Sequence, residues 1–389
     1  MASLLRVVPA LLAGALGLVL GAERPAHAFP QWQLSSGAVR CNQCHYAPAG
    51  GGLLTSFGRD AGAEQYATFQ GNGDFLHGAV TMPSWLTIGG DLRGALVVND
   101  VQDKDGTEWA VFPMQADLAV RVAPGAGFSV VAIGGFRGQI RDVDAPVPAE
   151  NFQPVDVNRL ISRQHYLMWQ PQATGVYVRA GRFYAPFGLR MPEHILYVNR
   201  DLGFDLLKES YNVSAGAIYD EWELHLTLFG PDVVRHIGSN ESGIAGLYEQ
   251  RLFNDTLAVA AQARIAASPG VTRVTVGSFG KYYIEKLNML AMAEVDGVHL
   301  VFDDPGVMPR YQVVGLAGAA LFPVRGVTAT ALIERNQVDI NVADAWTALT
   351  ALINWSPYAH CELQVMGRLQ FPSGGEAAKT FFLQAHYFL

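Results

Sequence analysis

The sequence predicts an all-β fold: an outer-membrane-type antiparallel β-barrel of about sixteen strands behind a small N-terminal segment. Three observations carry that prediction. Half of the 389 residues are hydrophobic while only 16% are charged, against about 25% in ordinary soluble proteins. Beyond the N-terminus no apolar run reaches the roughly 20 residues of a membrane-spanning helix. From position 85 onward, polar and apolar residues alternate with period two in segments of about ten, separated by connectors that are in turn short and long, as in transmembrane barrels. The charge of −8 disfavours a phosphate-binding surface, so nucleic acid is not an expected partner. Three cysteines exclude a disulfide scaffold.

Residues 1–28 read as a signal peptide. Arg6 supplies the positive start, Val7 to Leu20 the apolar run, and Ala26-His27-Ala28 the small-residue cleavage site. Residues 29–84 form the second unit. It holds Cys41-Asn42-Gln43-Cys44-His45, the C-x-x-C-H pattern of c-type haem attachment. Two thiols at this spacing match the two vinyl groups on one edge of a haem, and the adjacent histidine lies where it can ligate the iron. A redox C-x-x-C and half of a zinc site are the competing readings. The first lacks a surrounding βαβ pattern, and the second lacks a further ligand pair, since the remaining cysteine is Cys361. For the sixth iron position the segment offers His77, after the Gly71-Asn72-Gly73-Asp74 turn, with Met82 as the alternative. So short a domain is marginal alone; covalent haem and a surrounding wall would each add to its core.

Residues 85–389 form the barrel unit. Strands are expected at 85–99, 108–122, 128–141, 159–170, 175–185, 211–219, 221–229, 242–252, 256–267, 271–283, 287–299, 311–321, 327–336, 344–356, 359–371 and 378–389. Glu221, Glu223, His225 and Thr227 share one face, with Trp222, Leu224, Leu226 and Leu228 opposite. Glu362, Gln364, Arg368 and Gln370 oppose Leu363, Val365, Leu369 and Phe371. Connectors after even-numbered strands are short, and most of those after odd-numbered strands are longer; 268–270 is an exception. Short turns face the periplasm and long loops the outside, so an even count puts both termini in the periplasm. The last strand, through Phe388-Leu389, is apolar and aromatic, and Trp85, Trp109, Trp169, Trp222, Trp346 and Trp355 are candidates for interfacial girdles. Cys361 shares the parity of Leu363 and Val365, a lipid-facing position. Asp100, Asp103, Asp105, Asp142, Asp144, Asp303 and Asp304 fall on outer loops; they read as solvated loop charge, with concentration of cations near the pore as the other reading. Arg190, Glu193, His194, Arg200 and Asp201 sit in the longest loop, which is long enough to fold inward as a constriction.

Phe29-Pro30, the run Gly37-Ala38-Val39-Arg40-Cys41-Asn42-Gln43-Cys44-His45, Pro48, and Leu54-Thr55-Ser56-Phe57-Gly58-Arg59 together resemble the start of the fused monohaem cytochrome c–outer-membrane porins. Over the barrel the resemblance is one of architecture. It implies one covalent haem c held at or in the pore of an outer-membrane barrel. Electrons would pass between an extracellular donor or acceptor, iron(II) among the candidates, and a periplasmic electron-transfer protein. Two other classes fit the residues: a diffusion porin whose haem segment is a plug or sensor, and a haem-bearing oxidase with an open iron position.

Overall fold

A computed structural model of the chain describes residues 32–35, 37–100, 107–137, 160–204, 208–232 and 240–389. The signal-peptide residues, Phe29, and the loop residues Asp103, Asp105, Asp142 and Asp144 lie outside these. Sixteen strands close into one antiparallel barrel in which each strand pairs with its sequence neighbours and the first pairs with the last. They are β1 (Leu86–Asp100), β2 (Thr107–Gly125), β3 (Phe128–Arg137), β4 (Leu160–Trp169), β5 (Gly175–Phe183), β6 (Ser210–Ile218), β7 (Trp222–Gly230) and β8 (Ser242–Leu252), then β9 (Leu257–Ser268), β10 (Val271–Ile284), β11 (Met289–Phe302), β12 (Arg310–Val324), β13 (Val327–Asp339), β14 (Asp344–Trp355), β15 (Cys361–Pro372) and β16 (Ala378–Phe388). The expected count is met. Closure runs from Asp91 opposite Phe388 to Asp100 opposite Lys379, so among the described residues every strand has a neighbour on both sides, the arrangement a sheet needs in lipid.

Alternation fixes which face meets which environment. On β7, Leu226 and Leu228 are exposed outward while Glu223, His225 and Thr227 are buried inward. On β15, Leu363, Val365 and Leu369 point out, and Glu362, Gln364 and Arg368 point in. Cys361 keeps the outward parity, only partly buried. Trp85, Trp109 and Trp355 are exposed on the outside. Trp346 departs from the girdle expectation: its side chain packs against the interior cluster, because its parity on β14 is that of the buried Ala348 and Thr350. Asp303 and Asp304 are exposed after β11, where the Asp304 carboxylate accepts from the Gly306 amide (2.8 Å) and closes the turn.

The interior is not the uniformly polar lumen of an open channel. An apolar cluster joins Trp32, Leu34, Ala61 and Tyr66 of the N-terminal segment, Phe187, Leu189, Met191, Leu196 and Tyr197 of the loop between β5 and β6, and wall residues including Leu290, Met292, Val314, Leu316 and Leu332. The wall is therefore apolar on both faces where something packs inside it, and polar inside elsewhere. Leu53, Ala119, Val131, Tyr166 and Phe183 form a second cluster, with Tyr46 against it.

Candidate functional site

Cys41–Cys44 form a single helical turn entered from extended Arg40 and left by extended His45. The Gln43 side chain accepts from the Arg40 amide (2.9 Å), and the His45 amide donates to the Cys41 carbonyl (3.0 Å). The chain then doubles back. Tyr46 donates to Leu53 (3.0 Å) and Thr55 to Cys44 (2.9 Å), with a bridge between His45 and Leu54. The tip of this loop is Gly50-Gly51-Gly52, each with left-handed φ of 67–81°, a conformation glycine adopts without strain. A Cβ on Gly50 would lie 3.4 Å from the Cys41 Cβ and 3.6 Å from the His45 ring. Gly58 has a different reason: a Cβ there would fall 2.3 Å from the Cys44 carbonyl oxygen. The Phe57-Gly58-Arg59 signature is therefore the point where the following helical turn, Ser56–Asp60, rests directly on the C-x-x-C backbone.

This segment plugs the barrel at the short-turn mouth. Arg40 pairs with Asp220 in the β6–β7 turn (2.7 Å) and donates to the Ala173 carbonyl in the β4–β5 turn (3.0 Å); Asn42 donates to the same carbonyl (2.6 Å). Trp32 reaches Thr328 on β13 (3.1 Å), and Gln33 reaches Glu249 on β8 (3.2 Å) and Lys281 on β10. The Thr68 amide donates to the Ser356 carbonyl in the β14–β15 turn (2.9 Å). Tyr46 lies under the Arg121 guanidinium of β2 (4.1 Å to the ring centre). The attachments thus run around most of the circumference.

Beside Cys41 the wall carries a chain of buried charges. Lys281 bonds Glu249 (2.7 Å), Arg251 bonds Glu249 (3.3 Å) and Glu223 (2.5 Å), and Glu223 faces His225 (3.4 Å), whose Nδ1 meets the Tyr177 hydroxyl (2.7 Å). Burial pushes the Cys41 thiol up to about 12, with the Glu223 charge adding to it. Burial likewise raises Cys44 to about 12.

Above the plug, the loop between β5 and β6 turns into the lumen. Its backbone, which would otherwise be stranded inside a barrel, donates to wall side chains: Gly188 to Gln262 (2.6 Å), Leu189 to Glu294 (3.0 Å) and Tyr197 to Glu334 (2.6 Å). Between loop and plug lies a cavity of about 1060 Å³, at the upper end of the range for cofactor and ligand sites. Cys41, Cys44 and His45 all line it, with Gly50 to Gly52 beside them and Arg190, Met191, Glu193 and His194 from the loop. The donor set and the glycine tip fit a haem attached by two thioethers and one imidazole.

His77 and Met82 do not join this cavity. His77 is exposed, with left-handed φ, edge-on to His360 (ring centres 4.7 Å apart) and 3.2 Å from the Tyr387 hydroxyl. Tyr387 alternates with His386 and Phe388, which are the residues lining the cavity, so His77 stands at the rim on the other side of the wall. Met82, partly exposed, precedes β1. The 3₁₀ turn Phe75–Gly78, which holds His77, contributes no residue to the cavity. Sequence reasoning passed over Gln33, Glu249, Arg251 and Lys281. The apolar content of the 184–204 loop, unusual for a solvated loop, was the signal available for the inward fold.

No protein-family model and no curated protein sequence matches the chain. Among solved structures, a loop-deletion form of OmpT, an outer membrane protein of Vibrio cholerae, is similar with a TM-score of 0.58 at 10% identity, over 78% of this chain and 99% of that one. An anion-selective porin from Comamonas acidovorans is similar at 0.57 and 10%, over 78% and 99%. The outer membrane channel DcaP of Acinetobacter baumannii is similar at 0.55 and 13%, over 78% and 97%. The fold is thus the porin-like sixteen-strand barrel. At such identities the likeness is one of fold.

Proposed function

We propose that this chain is an outer-membrane electron-transfer protein with one haem c held inside a porin-like barrel. Its electrons would pass between an extracellular donor or acceptor, iron(II) being a candidate donor, and a periplasmic electron-transfer protein. The observation that carries the reading is that Cys41, Cys44 and His45 line a single lumen cavity of about 1060 Å³. Cys41 and Cys44 would hold the haem through thioethers and His45 would ligate its iron. When bound, the haem supplies a one-electron Fe(III)/Fe(II) couple. The wall excludes lipid, and the plug shields the site from the short-turn mouth, which we take as periplasmic. On the outer side the 184–204 loop restricts solvent.

A second reading has its own support. The similar solved structures include a porin and a channel, which favours a diffusion porin with the N-terminal segment as plug or sensor. The comparisons favour that reading, while the motif and the plugged lumen favour electron transfer. Two measurements separate them. The outer-membrane protein should retain haem through acid–acetone extraction and oxidise or reduce a soluble partner in stopped-flow, with Cys44→Ala abolishing both. Liposomes carrying it should stay tight to small solutes. Rapid solute flux without extraction-resistant haem would leave the porin reading standing alone.

A further inference from the structure

One cation lining the cavity, Arg190, is hydrogen-bonded to a backbone carbonyl rather than paired with a carboxylate. Among the described residues, six other cationic side chains line it, and each is paired: Arg40 with Asp220 (2.7 Å), Arg93 with Asp91 (3.5 Å), Arg163 with Asp117, Arg200 with Asp201 (3.1 Å), Lys281 with Glu249 (2.7 Å) and Arg368 with Glu334. Arg190 instead donates from Nη1 to the Ala49 carbonyl (3.2 Å), four residues past His45. Its Nη2 lies 3.6 Å from where a Cβ on Gly51 would sit, and its own backbone is left-handed, φ 52°, uncommon for a residue with a side chain. The inward loop therefore sets a guanidinium against the glycine tip of the C-x-x-C-H segment, with donors to spare. Burial lowers its pKa, yet an arginine stays charged at neutral pH. A haem carries two propionates, and carboxylates in a low-dielectric lumen require a cationic partner.

We infer that Arg190 is a haem-propionate anchor, its free guanidinium edge binding a propionate while Nη1 keeps the plug tied to the loop. This rests on the haem reading above. Bidentate carboxylate binding suits the planar arginine fork. A cation beside the haem disfavours Fe(III) relative to Fe(II), so it holds the potential up.

The test is spectroelectrochemical titration of the full-length haem protein in detergent. Arg190→Gln keeps a donor for Ala49 and removes the charge. At fixed poise its oxidised-to-reduced ratio should rise about tenfold, a fall of about 59 mV for one electron, at unchanged haem content. Arg190→Lys keeps the charge and should stay within about threefold of the unmodified protein. A ratio within twofold in Arg190→Gln overturns the inference, as does an equal change in both variants, which marks a packing role. If Arg190→Gln does not accumulate, redox-induced infrared difference spectra of protein carrying guanidino-¹⁵N arginine decide. Label-sensitive bands lost in Arg190→Lys support the anchor; their absence or persistence overturns it. Lack of extraction-resistant haem in the unmodified chain is a separate outcome: it refutes the haem reading and removes the basis for the anchor.

Discussion

On β7, Leu226 faces outward and Thr227 faces the lumen, and each residue's environment follows from its neighbour's by the pleat. The segment from Trp32 to Tyr66 carries no strand alternation among its described residues. Trp32 is fixed by Thr328, 296 positions away, and Arg40 by Asp220. The wall is built from local pattern plus closure; the plug is built from contacts made far along the chain to a wall that must already exist. The difference teaches that the two parts are unequal partners. Closure satisfies the wall's own backbone, whereas the plug, with the helical turn Cys41–Cys44, the helical stretch of Ser56–Asp60 and Ala61–Tyr66 and a three-glycine tip, depends on the wall for its core.

The largest expected effect breaks the comparison directly. Deleting residues 32–78 should leave a folded barrel, read as unchanged β-sheet circular dichroism and heat-modifiable migration in gels, and should convert a quiet bilayer into one with large, stable single-channel steps. A barrel that fails to assemble without the segment would show that the plug is part of the wall's core.

Next in size is the buried pair Arg368–Glu334, where wall and inner loop meet. Glu334 also accepts the Tyr197 amide (2.6 Å), and Arg368 donates to Thr350 (2.7 Å). Arg368→Met leaves a buried carboxylate without its cation and should cost about 3–5 kcal/mol in denaturant titrations. Adding Glu334→Gln should recover much of it.

These elements also explain how much was legible in the sequence. The sixteen strands were, because an apolar outer face and a largely polar inner face put opposite chemistry on adjacent residues. Val327–Asp339 was expected to end at 336; the register shift between Gln337 and Asp339 extends it through a bulge that no alternation announces. Cys41, Cys44 and His45 were legible as a motif, and their meeting in one cavity is fixed by attachments such as Gln33 to Glu249 that have no local signature. His77 was chosen for nearness in sequence, and its turn does not line the cavity. Trp346 was placed with the girdle by its residue type, whereas its parity points it inward.

A third prediction uses pH to sharpen the same contrast. Glu193, on the inner loop, is buried beside Glu362, and burial first, then that neighbouring charge, pushes its carboxyl up to about 7. The folded protein thus binds a proton there that the unfolded chain, near 4.5, releases. Stability is highest below 4.5 and falls as pH rises through 7. The shift corresponds to about 3 kcal/mol. Glu193→Gln should therefore raise the melting temperature at pH 8 and leave it nearly unchanged at pH 4.5. An equal gain at both would assign the effect to packing.

The smallest effects come from the outer face, where position along one strand replaces partner identity. Leu226 is the central residue of β7 (Trp222–Gly230) and is half exposed on the outer face. Leu363 lies two residues inside the start of β15 (Cys361–Pro372), close to the short-turn rim. An arginine at the centre must hold its charge in hydrocarbon, whereas near the rim its stem lets the guanidinium reach the interface. Leu226→Arg should cost about 2–4 kcal/mol and Leu363→Arg about 1 or less, read from reversible unfolding in lipid vesicles. The same pair in detergent should converge, because a micelle lets both charges reach water. Equal costs in vesicles would mean that β7 and β15 do not cross the bilayer at the depths their strand positions imply.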